Sequence, residues 1–248
     1  VIDVAFAPND VVAADVAGRA MVVIDVLRAT TTICTAMAHG ARAIIPAADP
    51  GDASRLAEAL DKREVILAGE RHLQPIPGFH LGNSPSEMTA ERVRGKTIVM
   101  TTTNGTRALL ATVGAQRVVV ASGVNLTTAG EAARVMLAET GRLLVLCGGR
   151  ESGFGLDDAY IAGRIVLAAL GGRRTRKGLN DSAIAAVDIV RRYGTRLDRV
   201  LALSEAGRSL HHEGYRDDLA YCTAVDRHPV LPVFHDRRVT LPVAEAAA

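Results

Sequence analysis

Val22-Val23-Ile24-Asp25-Val26-Leu27-Arg28-Ala29-Thr30-Thr31-Thr32 decides how this chain is read. An aliphatic run meets two charged residues and then three hydroxyls that open a small-residue helix. The helix runs on to Gly40-Ala41-Arg42, and a short apolar run follows at Ile44-Ile45. The same order recurs downstream. Thr97-Ile98-Val99-Met100-Thr101-Thr102-Thr103-Asn104-Gly105-Thr106 leads into a helix ending at Gly114-Ala115-Gln116, then Val118-Val119-Val120. Each copy reads as a buried strand, a Thr-rich turn and a helix. The first N–H groups of a helix lack partners and its dipole favours negative charge, so such a turn suits an oxyanion.

Outward from these units, strand-like runs recur at 43–46, 64–68, 117–121, 142–147 and 199–203, beside those at 22–26 and 97–101. Helical patterns lie between them at 30–39, 52–61, 106–112, 127–140, 157–170 and 182–192. Nearly continuous apolar strands indicate burial on both faces, as in a parallel sheet covered by helices. The expected fold class is α/β: a largely parallel or mixed sheet layered with helices through right-handed crossovers. We expect one α/β domain over residues 1–240, with 122–126 as the alternative meeting point of two lobes, and a flexible tail over 241–248. The stretch from Gly69 to Glu87, with Pro75, Pro77, Gly78, Gly82 and Pro85, reads as a long irregular loop of the functional kind.

Composition narrows the function classes. The chain of 248 residues has no Trp and is 3% aromatic, so its core is built from Ala, Val, Leu and Ile. A formal net charge of +2 gives no case for a nucleic-acid partner, and the basic run Arg173–Lys177 reads as a solvated loop. No apolar run is long enough to span a membrane, and no secretory leader is recognisable. Cys34, Cys147 and Cys222 lack the spacing of a zinc site and fit a reducing cytoplasm.

In open α/β sheets ligands bind where strands end at their carboxyl edge. Four strand ends carry reactive side chains: Asp25 and Arg28, Glu70 and Arg71, Thr101 to Asn104, and Cys147 to Glu151. Together they suit metal-assisted phosphoryl chemistry. Asp25 reads as a metal ligand or nucleophile, or else as a structural partner of Arg28 or a helix cap. Arg28 reads as a bidentate anion clamp or as that partner. Thr30, Thr31, Thr102, Thr103, Asn104 and Gly105 either hold an anion or cap their helices. Asp157 and Asp158 open the helix 157–170, where carboxylates complement the dipole or bind a hard cation such as Mg²⁺. Cys147 and Arg150 are too close for a Cys-x5-Arg phosphatase loop, so Cys147 reads as a small buried hydrophobe. His72 and His80, near Glu70, are candidates for acid–base work.

Asp25–Thr32, Gly69–Arg71, Gly78–Pro85, Thr101–Thr106, Cys147–Arg150, Asp157-Asp158 with Ala162-Gly163, and Ser204–Leu210 followed by Asp217 together resemble the 2-phosphosulfolactate phosphatase family. The resemblance implies an α/β architecture of its own and a Mg²⁺-dependent, cytoplasmic hydrolase. The implied reaction converts (2R)-2-phospho-3-sulfolactate, or a related phosphorylated 2-hydroxy acid, to 3-sulfolactate and phosphate, a step of coenzyme M biosynthesis. Two positions depart from the family pattern: His80 stands where an acidic residue is usual, and 157–158 is Asp-Asp rather than Glu-Asp. On this reading Asp25, Asp157 and Asp158 hold Mg²⁺, and Asp25, Arg28, Glu70 and Asp158 form the catalytic group. Thr30, Thr31 and Thr102 to Gly105 hold the phosphoryl oxygens; Arg71, Asn83, Ser84 and Arg150 read the carboxylate and sulfonate. Attack by water or by Asp25 stays open, and a homodimer is expected. The alternatives are a non-catalytic sensor of a phosphorylated metabolite and a phosphatase for another small phosphomonoester.

Overall fold

The computed structural model describes residues 1–151 and 153–242. Most of the segment 241–248, expected to be a flexible tail, lies outside the described residues. Among the described residues ten strands form one mixed sheet: β1 (Ile2–Ala5), β2 (Ala20–Ile24), β3 (Ala43–Pro46), β4 (Val65–Arg71), β5 (Gln74–Pro75), β6 (Thr97–Thr101), β7 (Arg117–Ala121), β8 (Leu143–Cys147), β9 (Val233–His235) and β10 (Arg238–Thr240). The helices are α1 (Ala13–Val16), α2 (Ala29–Ala38), α3 (Pro50–Glu58), α4 (Ala90–Val93), α5 (Gly105–Ala111), α6 (Leu126–Thr140), α7 (Leu156–Leu170), α8 (Asp181–Tyr193), α9 (Leu197–Leu203), α10 (Glu205–His212) and α11 (Arg216–Cys222).

The order β1-β8-β2-β7-β9-β10-β3-β6-β4-β5 contains two parallel blocks. In one, β1, β8, β2 and β7 run together; in the other, β3, β6 and β4 do. Between them the β9–β10 hairpin pairs antiparallel to β7 on one side and to β3 on the other, so the blocks run in opposite senses. The sheet is therefore mixed and layered with helices, as expected, with parallel pairing inside each block. The first unit, β2–α2–β3, and the second, β6–α5–β7, each pass from one block to the other.

The apolar runs have the expected cause. All five residues of β2 are buried, with Ala20, Val22 and Ile24 packing on the side of α6 and α7 and Met21 and Val23 on the side of α2 and α5. Residues 199–203, expected as a strand, belong to α9. There Leu197, Val200 and Leu201 are buried while Leu203 is 45% exposed, which is helical spacing. The stretch 69–87 is less irregular than expected: β4 continues to Arg71, β5 pairs with it, and a 3-10 turn spans Pro85–Glu87. Asn180 caps α8 by accepting the Ala183 N–H at 2.9 Å. Among the described residues no helix is long and apolar enough to cross a membrane.

Candidate active site

Asp25 leaves the end of β2 and turns its chain into α2. Its N–H donates to Thr30 Oγ1 (3.0 Å), and the Thr30 hydroxyl donates to the Asp25 carbonyl (2.8 Å). The Asp25 Oδ1 accepts the Ala29 N–H at 3.2 Å. The second unit repeats the device with hydroxyls. Thr102 N–H donates to Thr106 Oγ1, the Thr106 hydroxyl donates to the Thr102 carbonyl, and Thr106 N–H donates to Thr102 Oγ1. Asp25 and Thr102 therefore hold equivalent places in the two copies. The copies also touch: a methyl group on Gly105, the first residue of α5, would lie 2.3 Å from Cβ of Ala29, the first residue of α2. The carboxyl ends of β2 and β6 thus meet although their blocks run oppositely, which a flat sheet does not allow.

At this meeting point lies a cavity of about 690 Å³ lined by Asp25, Arg28, Glu70, Asn83, Thr103, Asn104, Gly149, Arg150, Asp157 and Asp158, among others. The four strand ends expected to converge do converge. Asp25 Oδ2 accepts no hydrogen bond among the described residues, and the missing side chains of Gly105 and Gly148 leave it room: a Cβ on either would come within 2.9 Å. Burial, with Asp157 and Glu70 adding negative charge, pushes the Asp25 carboxyl up to about 7. Burial likewise pushes Asp157 up to about 6. Asp158 is raised well above the carboxylate range by burial and by Asp157 and Asp25, yet its oxygens are engaged, accepting Val26 N–H (2.8 Å) and Gly149 N–H (3.0 Å). Asp158 ties the first turn to the Gly-rich loop. Glu70 does the same for the second turn, accepting Thr103 N–H (2.7 Å) and Leu73 N–H (2.9 Å).

Several expected site residues have other partners. The Thr30 and Thr31 hydroxyls donate to the Asp25 and Val26 carbonyls, Thr102 caps α5, and none of the three lines the cavity. Arg71 turns away, donating to the Glu70 and Ala48 carbonyls and to Thr101 Oγ1. Ser84 Oγ donates to Asp218 at 2.5 Å. Arg28 pairs not with Asp25 but with Asp218, Nη1 to Oδ2 at 2.6 Å. His72 lines the cavity, whereas His80 Nδ1 accepts the Leu67 N–H outside it. Cys147 is fully buried with its thiol pushed well above its ordinary range by burial, so it is no nucleophile at neutral pH.

Sequence reasoning missed one wall. α10 presents Glu205, Arg208, Ser209 and His212 to the cavity, and Arg150 lies 3.1 Å from both Glu205 and Ser209. Their spacing of three and four residues places them on one helical face, a signal available in the sequence. Asp218 was missed as well, although Asp217 beside it was noted; Asp217 is exposed and Asp218 buried.

Among the described residues no three His, Cys, Asp or Glu side chains are set to hold a metal by themselves. The donor chemistry nevertheless fits Mg²⁺. The ion commonly takes one or two carboxylates, the rest of its shell coming from water and substrate phosphate. Asp25 and Asp157 are carboxyls raised to about 7 and about 6 by burial, which Arg28 and Arg150 offset only in part, and Asp25 Oδ2, without a partner among the described residues, faces the gap left by Gly105 and Gly148.

Comparison with known proteins adds an independent line. The family model described as 2-phosphosulpholactate phosphatase matches residues 5–237. A protein of Symbiobacterium thermophilum, named probable 2-phosphosulfolactate phosphatase, is 43% identical over 92% of this chain and 97% of its own. Proteins of the same name from Thermotoga maritima (36% identity, 93% and 94% coverage) and Thermus thermophilus (37%, 88% and 88%) are similar along most of their length.

Proposed function

The chain belongs to the 2-phosphosulfolactate phosphatase family, and from that premise we propose that this phosphoric monoester hydrolase is Mg²⁺-dependent and acts on 2-phospho-3-sulfolactate or a closely related phosphorylated 2-hydroxy acid. The observation that carries the proposal is the cavity itself. It sets the buried, only partly compensated carboxyls of Asp25 and Asp157 beside Arg28, Asn104 and Arg150. A site built only to bind an anion gains nothing from buried carboxylates at its floor; a site that recruits a cation together with a phosphate needs them.

Asp25 and Asp157 would hold the ion, which when bound supplies Lewis-acid polarisation of the phosphoryl oxygens. Arg28, whose guanidinium keeps N–H groups free of partners among the described residues, offsets the charge that develops on those oxygens. Asn104 and Thr103, both on the second turn, line the same cavity, with the Thr103 hydroxyl donating to Glu70 Oε2 at 3.2 Å. Arg150 and, on α10, Arg208 supply positive charge for the carboxylate and sulfonate of the substrate.

The deciding experiment measures phosphate release from a panel of phosphorylated 2-hydroxy acids, sugar phosphates and nucleotides, with Mg²⁺ and with EDTA. Release confined to the hydroxy acids and abolished by EDTA is expected; equal rates with EDTA, or a preference for sugars or nucleotides, refute the reading. Asp25→Asn removes release while keeping the fold. Mg²⁺ also raises the melting temperature of the wild type, and Asp25→Asn loses that rise.

A further inference from the structure

Arg28 is 3% exposed, and its orientation is set from three directions. Nη1 donates to Asp218 Oδ2 at 2.6 Å, Nη2 donates to the Leu73 carbonyl at 3.1 Å, and the Tyr215 ring lies against the guanidinium, 4.3 Å from centroid to Cζ. A guanidinium has five N–H groups; two are engaged, and the other three have no protein acceptor among the described residues at a side chain that lines the cavity. The partners are themselves held. Asp218 Oδ1 accepts the Ser84 hydroxyl at 2.5 Å, which fixes the plane of its carboxylate. Leu73 adopts a left-handed backbone (φ 67°), costly for a side chain branched at Cγ, and Glu70 anchors that turn through the Leu73 N–H. A strained turn, a buried carboxylate and an aromatic face have no shared purpose except the placement of one guanidinium.

We infer that Asp218 is the positioning residue of this site: with Ser84, Tyr215 and the Leu73 carbonyl it forms a seat that aims the free N–H groups of Arg28 at the phosphoryl group. The inference rests on the phosphatase reading and deepens it. It also gives Ser84 a different part from substrate contact. Ser84 holds the carboxylate that holds the arginine. A buried Arg–carboxylate pair adds little net stability compared with well-packed apolar residues, but it fixes direction, and misplacement of a reacting group by about 1 Å costs roughly 10²-fold in rate.

The test is chemical rescue. Arg28→Ala loses at least about a hundredfold in kcat/KM, and added guanidinium restores part of it because the seat still binds the cation. Arg28→Ala combined with Asp218→Asn is not rescued. Equal rescue of both proteins, or no rescue of either, overturns the inference. Asp218→Asn alone lowers kcat more than it raises KM, while circular dichroism and melting show a folded protein at the assay temperature; a wild-type kcat overturns it. If Asp218→Asn does not fold, Ser84→Ala tests the same seat by removing one bond, and an unchanged kcat again overturns it. Inorganic phosphate titrated calorimetrically into wild type and Asp218→Asn separates this inference from the premise. If no compound of the panel is turned over, the phosphatase reading fails, yet weaker phosphate binding by Asp218→Asn still supports the seat. Equal binding, or none by the wild type, overturns the seat.

Discussion

Asp25 sits where two backbones come closer than side chains allow. Gly105 approaches from the second turn and Gly148 from the end of β8, and a Cβ on either would fall within 2.9 Å of the Asp25 side chain. Gly105→Ala therefore drives a methyl group into Ala29 and Asp25, at about 1–3 kcal/mol or more of stability and with loss of most turnover. Gly114→Ala is the matched comparison: its φ of 97° disfavours Ala, but nothing lies within 4 Å. It costs about 1–2 kcal/mol and leaves kcat/KM unchanged. Urea unfolding and steady-state kinetics on both variants check the pair; a Gly105→Ala enzyme of normal activity contradicts the packing around Asp25. Asp25 and Arg28, which line the cavity, were legible as candidates because a charged group at the end of an apolar strand demands a partner or a purpose. The threonines were not, because a hydroxyl at a helix start serves a ligand or the backbone with the same sequence. Thr30, Thr31 and Thr102 turned out to serve the backbone. Asp218 was illegible for another reason: its meaning lies in Arg28, 190 residues away along the chain.

At the scale of elements, the repeated strand–turn–helix unit was readable, but what joins the two copies was not. The joint is the β9–β10 hairpin, whose three-residue strands are too short to announce themselves by alternation. Its Phe234 and Val239 are buried in the core shared with β2, β3 and β6. The hairpin supplies the antiparallel strands that let two opposed parallel blocks belong to one sheet. α9 illustrates the complementary failure. Arg199-Val200-Leu201-Ala202-Leu203 is apolar enough for a strand, and only its buried contacts at 197, 200 and 201 reveal the helix. Phe234→Ala is expected to cost about 3–5 kcal/mol in urea unfolding. Because the hairpin contributes no residue to the cavity, KM of the folded fraction stays at the wild-type value. A loss below about 1 kcal/mol contradicts the role given to the hairpin as the core-buried joint.

For the whole molecule, opposed blocks whose carboxyl ends meet gather acidic side chains that a simple doubly wound sheet spreads along one rim. Asp25 follows β2, Glu70 stands on β4, and Asp157 and Asp158 open α7 behind β8; Asp25 feels the charge of Asp157 and Glu70, and Asp158 that of Asp157 and Asp25. This concentration of charge makes folding stability depend on pH in a stated direction. The folded-state pKa of Asp25 lies at about 7 against an ordinary value of 3.8. The folded protein therefore binds that proton more tightly than the unfolded chain. The stabilising contribution is complete below the unfolded value and is lost as pH rises through the folded one; Asp157, at about 6, adds to it with the same sign. Asn in place of Asp25 keeps the shape without the titration. In EDTA, Asp25→Asn should melt above the wild type at about pH 8, and the gap should narrow as pH falls through about 7, closing only near the unfolded value of 3.8. Mg²⁺ added at the higher pH should close it too, by supplying the counter-charge the carboxylates lack. Differential scanning calorimetry of both proteins across that range measures the gap directly. A gap that stays constant with pH means that the carboxylates are already compensated within the protein, and the case for a recruited cation would then lose its footing.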